Sequence, residues 1–440
     1  MATAIQYWVG IDLGSTTTKA VILDEDGNTL GCGITNSRSN YDVACSVSLA
    51  EALTDARFWL ISKEFEGEPE LDKILERLEL AFKEAQFLEQ LDDLRRICMG
   101  LLEERKAPAA YNEALTKIFE EMDAEAHELH KPGANRKSDF FRDLAGASYL
   151  RIADEVSHDT DLSYEQIVGL YDKAILEVEA RMPDDESFRH HLAFALEDGD
   201  FEDRIKEGVT RVAAIELIQA GSVGTGYGRA RLPFPKAQIR SEILCHGLGA
   251  HAMFPGTRTV LDIGGQDTKA IQVDDKGIVT SFQMNDRCAA GCGRYLGYIA
   301  DEMNLGLHEL GPLAKTSKKC VKINSTCTVF AGAELRERLS LGEKREDILA
   351  GLHRSIILRA MSILARSGGI DNEFTFTGGV AKNPAAVEAL ARVIQENYGE
   401  RTVNISPSSI YTGALGAAIF ALRGREIAEE EGGLKRGLLS

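Results

Sequence analysis

Positive charge is the first thing this chain is short of. Its 440 residues hold 50 Lys and Arg against 69 Asp and Glu, a net charge of −19. Neutralising nucleic-acid phosphates or an anionic bilayer needs the opposite balance, so no nucleic acid and no membrane is expected as a partner. Long apolar runs are missing too. None approaches the roughly 20 residues of a membrane span. The N-terminus also lacks the basic start and apolar core of a signal peptide, so a cytoplasmic location is expected. Cys-x-x-Cys pairs, which structural zinc sites favour, do not occur among the eight cysteines. In a cytosolic chain of this size such cysteines read as free thiols or metal ligands, not as a disulfide framework. His127 and His130 stand three apart where a zincin helix needs four, which leaves a solvated helix face. The run Gly224-Thr225-Gly226-Tyr227-Gly228 has no following helix or downstream acidic partner of a dinucleotide fingerprint, and reads as a structural loop.

What is present is a duplication. Asp12-Leu13-Gly14-Ser15-Thr16-Thr17-Thr18-Lys19-Ala20 recurs 250 positions later as Asp262-Ile263-Gly264-Gly265-Gln266-Asp267-Thr268-Lys269-Ala270, without a gap. Each copy leaves an apolar strand, makes a glycine-containing turn and runs out as a second strand. Each then turns again at a short acidic stretch ending in Gly, Asp24-Glu25-Asp26-Gly27 or Asp274-Asp275-Lys276-Gly277, in the manner of a hairpin. Glycine and small hydroxyl residues at such a turn let backbone N–H groups approach a phosphate closely. An Asp at the strand end suits a Mg²⁺ shell, because that ion is held by one or two carboxylates plus substrate phosphates. Two such turns face to face would grip a polyphosphate. A third turn, Thr377-Gly378-Gly379-Val380-Ala381, precedes Asn383-Pro384, an N-cap followed by Pro at the first helical position. It offers backbone for ribose or adenine.

The order of these pieces predicts an α/β protein, a two-lobed duplicated fold with nucleotide in the cleft. Residues 1–54 form the N-terminal hairpin part of lobe I. Residues 55–206, with apolar residues at three-and-four spacing among many charges, form a large helical insertion. A strand is expected to resume at Thr210-Arg211-Val212-Ala213-Ala214, within a completion of lobe I over 207–257. Residues 258–405 form lobe II. Residues 406–440 return to lobe I as a helix whose Gly413, Gly416, Ala417 and Ala418 suit close packing between lobes.

Two cysteine segments lie in lobe II. Cys288 sits where a helix should start, and Cys327 is flanked by Ser325, Thr326 and Thr328. Exposed N–H groups and the dipole at a helix start lower a thiol's pKa and favour metal or sulfide binding. Two cysteines are half of the Cys₄ set of a [4Fe–4S] cluster, which would then be shared across a subunit interface. Buried structural cysteine remains the other reading. Cys292, one helical turn beyond Cys288, is a third ligand or a core thiol.

These segments, with Gly224 to Arg229, resemble the ATPase family of benzoyl-CoA reductase subunits and 2-hydroxyacyl-CoA dehydratase activators, within the actin/Hsp70/sugar-kinase superfamily. The resemblance covers residues 5–50 and 207–422. In its length and its insertion the chain is similar to the long ATP-binding subunits of ATP-dependent benzoyl-CoA reductases. The small activators lack such an insertion and usually carry Thr at the position of Cys292. What the resemblance implies is an electron-transfer ATPase: Cys288 and Cys327 match the cluster ligands, and a sister ATPase subunit supplies two more. Reduced ferredoxin would feed the cluster. ATP hydrolysis would then drive electrons into two further subunits that carry the benzoyl-CoA site, reducing the ring to a cyclohexadiene thioester. An ATP-dependent activator of a 2-hydroxyacyl-CoA dehydratase is the alternative within the family, and a small-molecule kinase the alternative outside it. Superfamily similarity and spacing together assign Asp12 and Asp262 to Mg²⁺ and Ser15, Thr16, Thr17, Gly264 and Gly265 to the phosphates of ATP or ADP, with Gly14 and Asp267 also in the nucleotide site. Lys19 would neutralise charge, Gln266 orient the attacking water, and Gly378, Gly379 and Val380 receive the nucleoside.

Overall fold

The structure is a computed structural model that describes every residue except 1–3, 38–39, 135–137, 139, 161, 182–184, 200, 229–231, 286–292, 324–327 and 438–440. It forms two compact units, residues 1–5 with 38–217 and residues 6–37 with 218–440.

The second unit holds both halves of the duplication. Its first sheet has the order β3-β2-β1-β4, from β1 (Ile5–Leu13), β2 (Thr17–Leu23), β3 (Thr29–Asn36) and β4 (Leu217–Thr225).

The first unit is helical. It comprises α1 (Tyr41–Glu64), α2 (Leu71–Arg105), α3 (Ala109–Leu129), α4 (Phe141–Asp159), α5 (Tyr164–Val178), α6 (Asp185–Asp198) and α7 (Asp203–Ala213). The 35-residue α2 serves two cores: its first half gives Leu78 and Phe82 to a cluster with Phe58, Phe188 and Val209. Its second half gives Leu91 and Leu94 to a cluster with Phe119, Tyr149 and Ile167. The unit begins at 38, not 55, because α1 turns Phe58 and Ile61 into the first of these cores. The strand expected at Thr210 is instead the end of α7. Ile205, Val209 and Val212 bury one stripe at three-and-four spacing, and that periodicity overrides the β-branched character of Thr210 and Val212.

Across the second unit, α8 (Glu242–Met253) follows β4, and a five-stranded sheet follows α8. Its order is β7-β6-β5-β8-β9, from β5 (Thr259–Ile263), β6 (Thr268–Val273), β7 (Val279–Asn285), β8 (Phe374–Thr377) and β9 (Val403–Asn404). Between β7 and β8 run α9 (Gly293–Met303), α10 (Leu307–Lys315), α11 (Thr328–Ser340) and α12 (Arg345–Ser367), and α13 (Pro384–Tyr398) precedes β9. α12 is the one helix of the described residues long and apolar enough to cross a membrane, but it is mostly buried in the lobe II core with Phe374, Phe376 and Leu390.

The duplication holds bond for bond. Asp12 pairs with Lys19 and Ile11 with Ala20; Asp262 pairs with Lys269 and Leu261 with Ala270. Both outer ladders slip at the same place, after Ile22 and after Gln272. Both distal turns close on Asp24 or Asp274, with a left-handed glycine at 27 or 277.

The final helix, α14 (Thr412–Gly437), crosses α8. A Cβ on Gly249 would lie 2.0 Å from the Thr412 carbonyl oxygen, and one on Gly416 would lie 1.9 Å from that of Cys245. A Cβ on Gly10 of β1 would meet Ala414 O at 2.1 Å. Small residues therefore let α14 lie directly on α8 and on the first sheet, while Gly247 of α8 faces Ile271, Val273 and Val279 of the second. The two sheets are joined through this helix pair.

Candidate nucleotide-binding site

The two proximal turns meet. A Cβ on Gly265 would fall 2.3 Å from Thr16 Oγ1, so the glycine-containing turns of the two repeats are in contact. Behind the first turn, Ser37 donates its backbone N–H to Thr16 O (2.8 Å) and its hydroxyl to Gly14 O (2.6 Å). Thr16 is exposed, and Ser15, Thr17 and Lys19 are half-buried. Lys19 Nζ donates to the Thr17 carbonyl at 3.1 Å. Gln266 is half-buried in the second turn, and Gly264 N–H closes that turn on Asp267 O at 3.0 Å.

Asp12 is buried, 4% exposed, and its Oδ1 has no hydrogen-bond partner among the described residues. Two glycines make room for it. A Cβ on Gly226 would lie 2.6 Å from Oδ1, and one on Gly413 would lie 2.7 Å from Oδ2. Gly226 sits in the left-handed region just beyond β4, and Gly228 N–H returns to Leu13 O. The loop 224–228 is therefore a wall of the site. A buried carboxylate oxygen without a partner is costly unless a cation or donor arrives. Together with the bare backbone around it, this fits a magnesium ion brought by nucleotide phosphates.

Asp262 is handled differently. Thr377 Oγ1 donates to its Oδ2 at 2.9 Å, Lys269 Nζ approaches its Oδ1 at 3.4 Å, and His246 Nε2 lies 3.8 Å from Oδ2. Lys269 is 2% exposed and also reaches Glu242 and Asp267, each at 2.8 Å. Burial alone would raise the Asp262 pKa, but the charges of His246 and Lys269 and the bonds from Thr377 and Lys269 outweigh it and hold the carboxyl down to about 2. Burial opposes the charge on Lys269, but its three carboxylates raise it well above the ordinary value. Asp267 is raised, chiefly by burial.

Gly378, in the left-handed region, passes 2.4 Å (at its Cβ position) from Ile263 O, so the third turn lies directly on the end of β5. Gly379 has open space around it, and Val380 is buried. Asn383 caps α13 through Ala385 and Ala386 N–H, as the sequence predicts, and its amide also meets buried His353 at 3.0 Å.

Cys288, Cys292 and Cys327 lie outside the described residues. The helices that follow them do not. Gly332 of α11 packs on Tyr298 of α9, and Arg336 of α11 pairs with Glu302 of α9 at 2.5 Å. Contacts one turn apart in the same order mean the helices run parallel, so their starts at Gly293 and Thr328 share one end. The start of α9 is tied to the second glycine-containing turn: Gly293 N–H donates to Gly264 O and Arg294 N–H to Gly265 O, both at 2.8 Å. A shared helix-start end immediately after two cysteine segments fits a thiolate-ligated cluster.

Sequence reasoning missed Gly226, Glu242, His246, Lys269, Thr377 and Gly413. The repeat could have flagged Lys269, the counterpart of Lys19. The others come from segments outside the two repeated hairpins.

Comparison with known proteins agrees with this geometry. The (R)-2-hydroxyglutaryl-CoA dehydratase activating ATPase of Acidaminococcus fermentans is 44% identical over 204 residues, 46% of this chain and 76% of the relative. One component of the benzoyl-CoA reductase of Thauera aromatica is 29% identical over 241 residues, 54% of this chain and 83% of the relative. These identities favour the activator, which the sequence reading placed second to the reductase. The activator of the 2-hydroxyisocaproyl-CoA dehydratase from Clostridium difficile, solved with bound ADPNP, aligns with a TM-score of 0.52 and 24% identity over 97% of each chain. That likeness shows the fold alone. With the match to its family spanning residues 9–421, the chain belongs to the BadF/BadG/BcrA/BcrD ATPase family.

Proposed function

We propose that this protein is an ATP-driven electron donor that activates a 2-hydroxyacyl-CoA dehydratase. One observation carries the reading beyond its relatives' names. The two helices that follow the cysteine segments start at one end, and one of those starts is bonded to a phosphate turn. In this reading Asp12 positions Mg²⁺ through its unpartnered oxygen, while Asp262 is the anchored partner of Lys269. Ser15, Thr16, Thr17, Gly14, Gly264 and Gly265 surround the phosphates with backbone and hydroxyl donors. Lys19 offsets their charge, Gln266 orients water, and Gly378, Gly379 and Val380 face the nucleoside. Cys288 and Cys327 hold a [4Fe–4S] cluster with two thiolates from a partner chain. When bound, that cluster supplies a single low-potential electron. Reduced ferredoxin is the donor.

Anaerobic purification with iron analysis, EPR and an ATP-dependent activation assay tests the proposal. The expected result is a brown protein whose iron is lost on Cys288→Ser while ADP binding persists. A colourless, air-stable, iron-free protein that phosphorylates a small molecule would refute it.

The helical unit at 38–217 supports a second reading, the ATP-binding subunit of a benzoyl-CoA reductase. Co-purification separates the two. A stable hetero-oligomer with a sister ATPase subunit and two substrate-binding subunits, consuming ATP continuously with benzoyl-CoA, favours the reductase. A free homodimer favours the activator.

A further inference from the structure

The proposed function requires nucleotide state to reach the cysteine helices, and the inference drawn here rests on that requirement. The carbonyls of Gly264 and Gly265 accept the first two N–H groups of α9. A helix start leaves such N–H groups without intrahelical partners, so the phosphate turn acts as the cap of α9. Each peptide group is a rigid plane, with its C=O and N–H pointing in opposite directions when trans. The plane that presents Gly264 O to α9 therefore presents Gly265 N–H away from it. The plane carrying Gly265 O does the same for Gln266 N–H. Neither of these N–H groups donates to any group among the described residues. They are the donors left for a phosphate. Gly293 adds a second touch point: its Cβ position is 3.1 Å from Gly264 O and 3.4 Å from Val380 Cγ2, so the third turn also bears on the start of α9.

We propose that these two peptide planes are the mechanical link between the γ-phosphate and α9, with Gly293 and Arg294 as positioning residues. A phosphate that draws the N–H edges toward itself tilts the carbonyl edges and lengthens or shortens both bonds to α9. Because α11 packs parallel on α9 through Gly332–Tyr298 and Arg336–Glu302, both helix starts shift together. Gly332 lets the Tyr298 ring lie close against α11, since a Cβ there would fall 2.8 Å from its hydroxyl.

Removing one N–H without changing the phosphate turn isolates the link. Proline is tolerated in the first turn of a helix, where its missing N–H has no intrahelical role. Arg294→Pro therefore deletes the bond to Gly265 O and leaves α9 intact, whereas Arg294→Ala removes only an exposed side chain. Amide hydrogen exchange over residues 298–303 of the full chain is measured with ADP and with a non-hydrolysable ATP analogue. The wild type and Arg294→Ala are expected to show about a five- to tenfold difference between the two nucleotides, the shift that one net hydrogen bond supports. Arg294→Pro is expected to show less than about a twofold difference, with nucleotide affinity within about threefold of wild type. If Arg294→Pro fails to fold, Gly293→Ala, which crowds the same carbonyl, must show the same loss. A nucleotide difference that survives in these variants, is absent from the wild type, or is lost equally in Arg294→Ala overturns the proposal. This readout needs no iron and no dehydratase, so its failure is distinguishable from failure of the functional reading.

Discussion

In the first repeat Asp12 keeps one oxygen without a partner among the described residues, and Lys19 donates to a nearby carbonyl. In the second, Asp262 and Lys269 occupy the same ladder rung, yet they join each other and draw in Glu242, Asp267, Thr377 and His246. Backbone register is the same; the charge environment is opposite. Two copies of one glycine-containing turn thus differ in charge environment. One holds a buried carboxylate oxygen with no partner among the described residues, which the proposed function assigns to a cation. The other is a neutralised anchor that fastens β6 to α8, the helix on which α14 lies.

The widest gap between the repeats is expected at the lysines. Lys269→Met leaves Asp262 and Glu242 buried without their shared cation, and breaking a buried pair in this way costs about 3–5 kcal/mol. Lys19→Met, at a half-buried position, is expected to cost less than about 1 kcal/mol of stability while weakening ATP binding. Chemical denaturation of both variants measures the difference. Equal losses would mean that the two repeats are electrostatically alike after all.

The aspartates give the next largest effect, now in activity. Asp12→Asn removes the free carboxylate oxygen and is expected to lower ATP hydrolysis by at least about a hundredfold, since metal positioning is worth several kcal/mol. Its stability should hold or rise, because a buried unpartnered charge is relieved. Asp262→Asn should show the reverse pattern: lower stability and a milder loss of turnover. Near-normal ATPase activity in Asp12→Asn contradicts the assignment.

Acid acts on the carboxylate of the second repeat. The folded Asp262 carboxyl titrates at about 2 against an ordinary 3.8, so its ionised form favours the fold at pH values above the ordinary one. That contribution, about 2 kcal/mol, declines as pH falls from near 4 toward 2. His353 acts at a higher pH. Burial lowers its pKa, so stability is also lost as pH falls through the ordinary histidine range, where the unfolded chain takes up a proton first. The stability of Lys269→Met should lose much of its slope between pH 4 and 2 and keep the histidine slope. If the variant retains the full acid slope, the cluster is not its source.

How much of this was legible follows from where each residue comes from. The hairpins, their turns and the Asp–Lys rung are local in sequence and written twice, so register and fold class could be read directly. Asn383-Pro384 announced the start of α13 by its own capping chemistry. Gly226, Glu242, His246, Thr377 and Gly413 reach the carboxylates from β4, α8, β8 and α14, and no spacing rule links them to Asp12 or Asp262. The loop at 224–228 looked structural because its purpose, making room for Asp12 Oδ1, exists only in three dimensions. At Thr210 local β-preference and helical periodicity disagreed, and burial of Val209 and Val212 against a neighbouring helical core decided for the helix. The helical unit began earlier than composition indicated because α1 buries Val43, Ala44, Cys45, Ala52, Ala56 and Phe58 around much of its circumference. No single apolar stripe marks its start.

The smallest expected effect tests the contact between the repeats. Gly265 is bare where Thr16 arrives, with only 2.3 Å available for a Cβ. Thr16 is exposed and sits in a turn, so Gly265→Ala is accommodated by a small separation of the two turns, at about 1 kcal/mol. Phosphates gripped from both sides sense that separation, whereas phosphates held by one turn do not. Gly265→Ala should therefore weaken ATP about three- to tenfold with little change in thermal stability of the free chain. Thr16→Gly on the same background, which removes the opposing Cβ and hydroxyl, should recover most of that affinity. Thr16→Gly alone forfeits a donor and gains nothing, so the two substitutions should be non-additive in a double-mutant cycle read by nucleotide titration. Additive losses would show that the turns bind phosphate independently and that their contact in the free chain has no bearing on the grip.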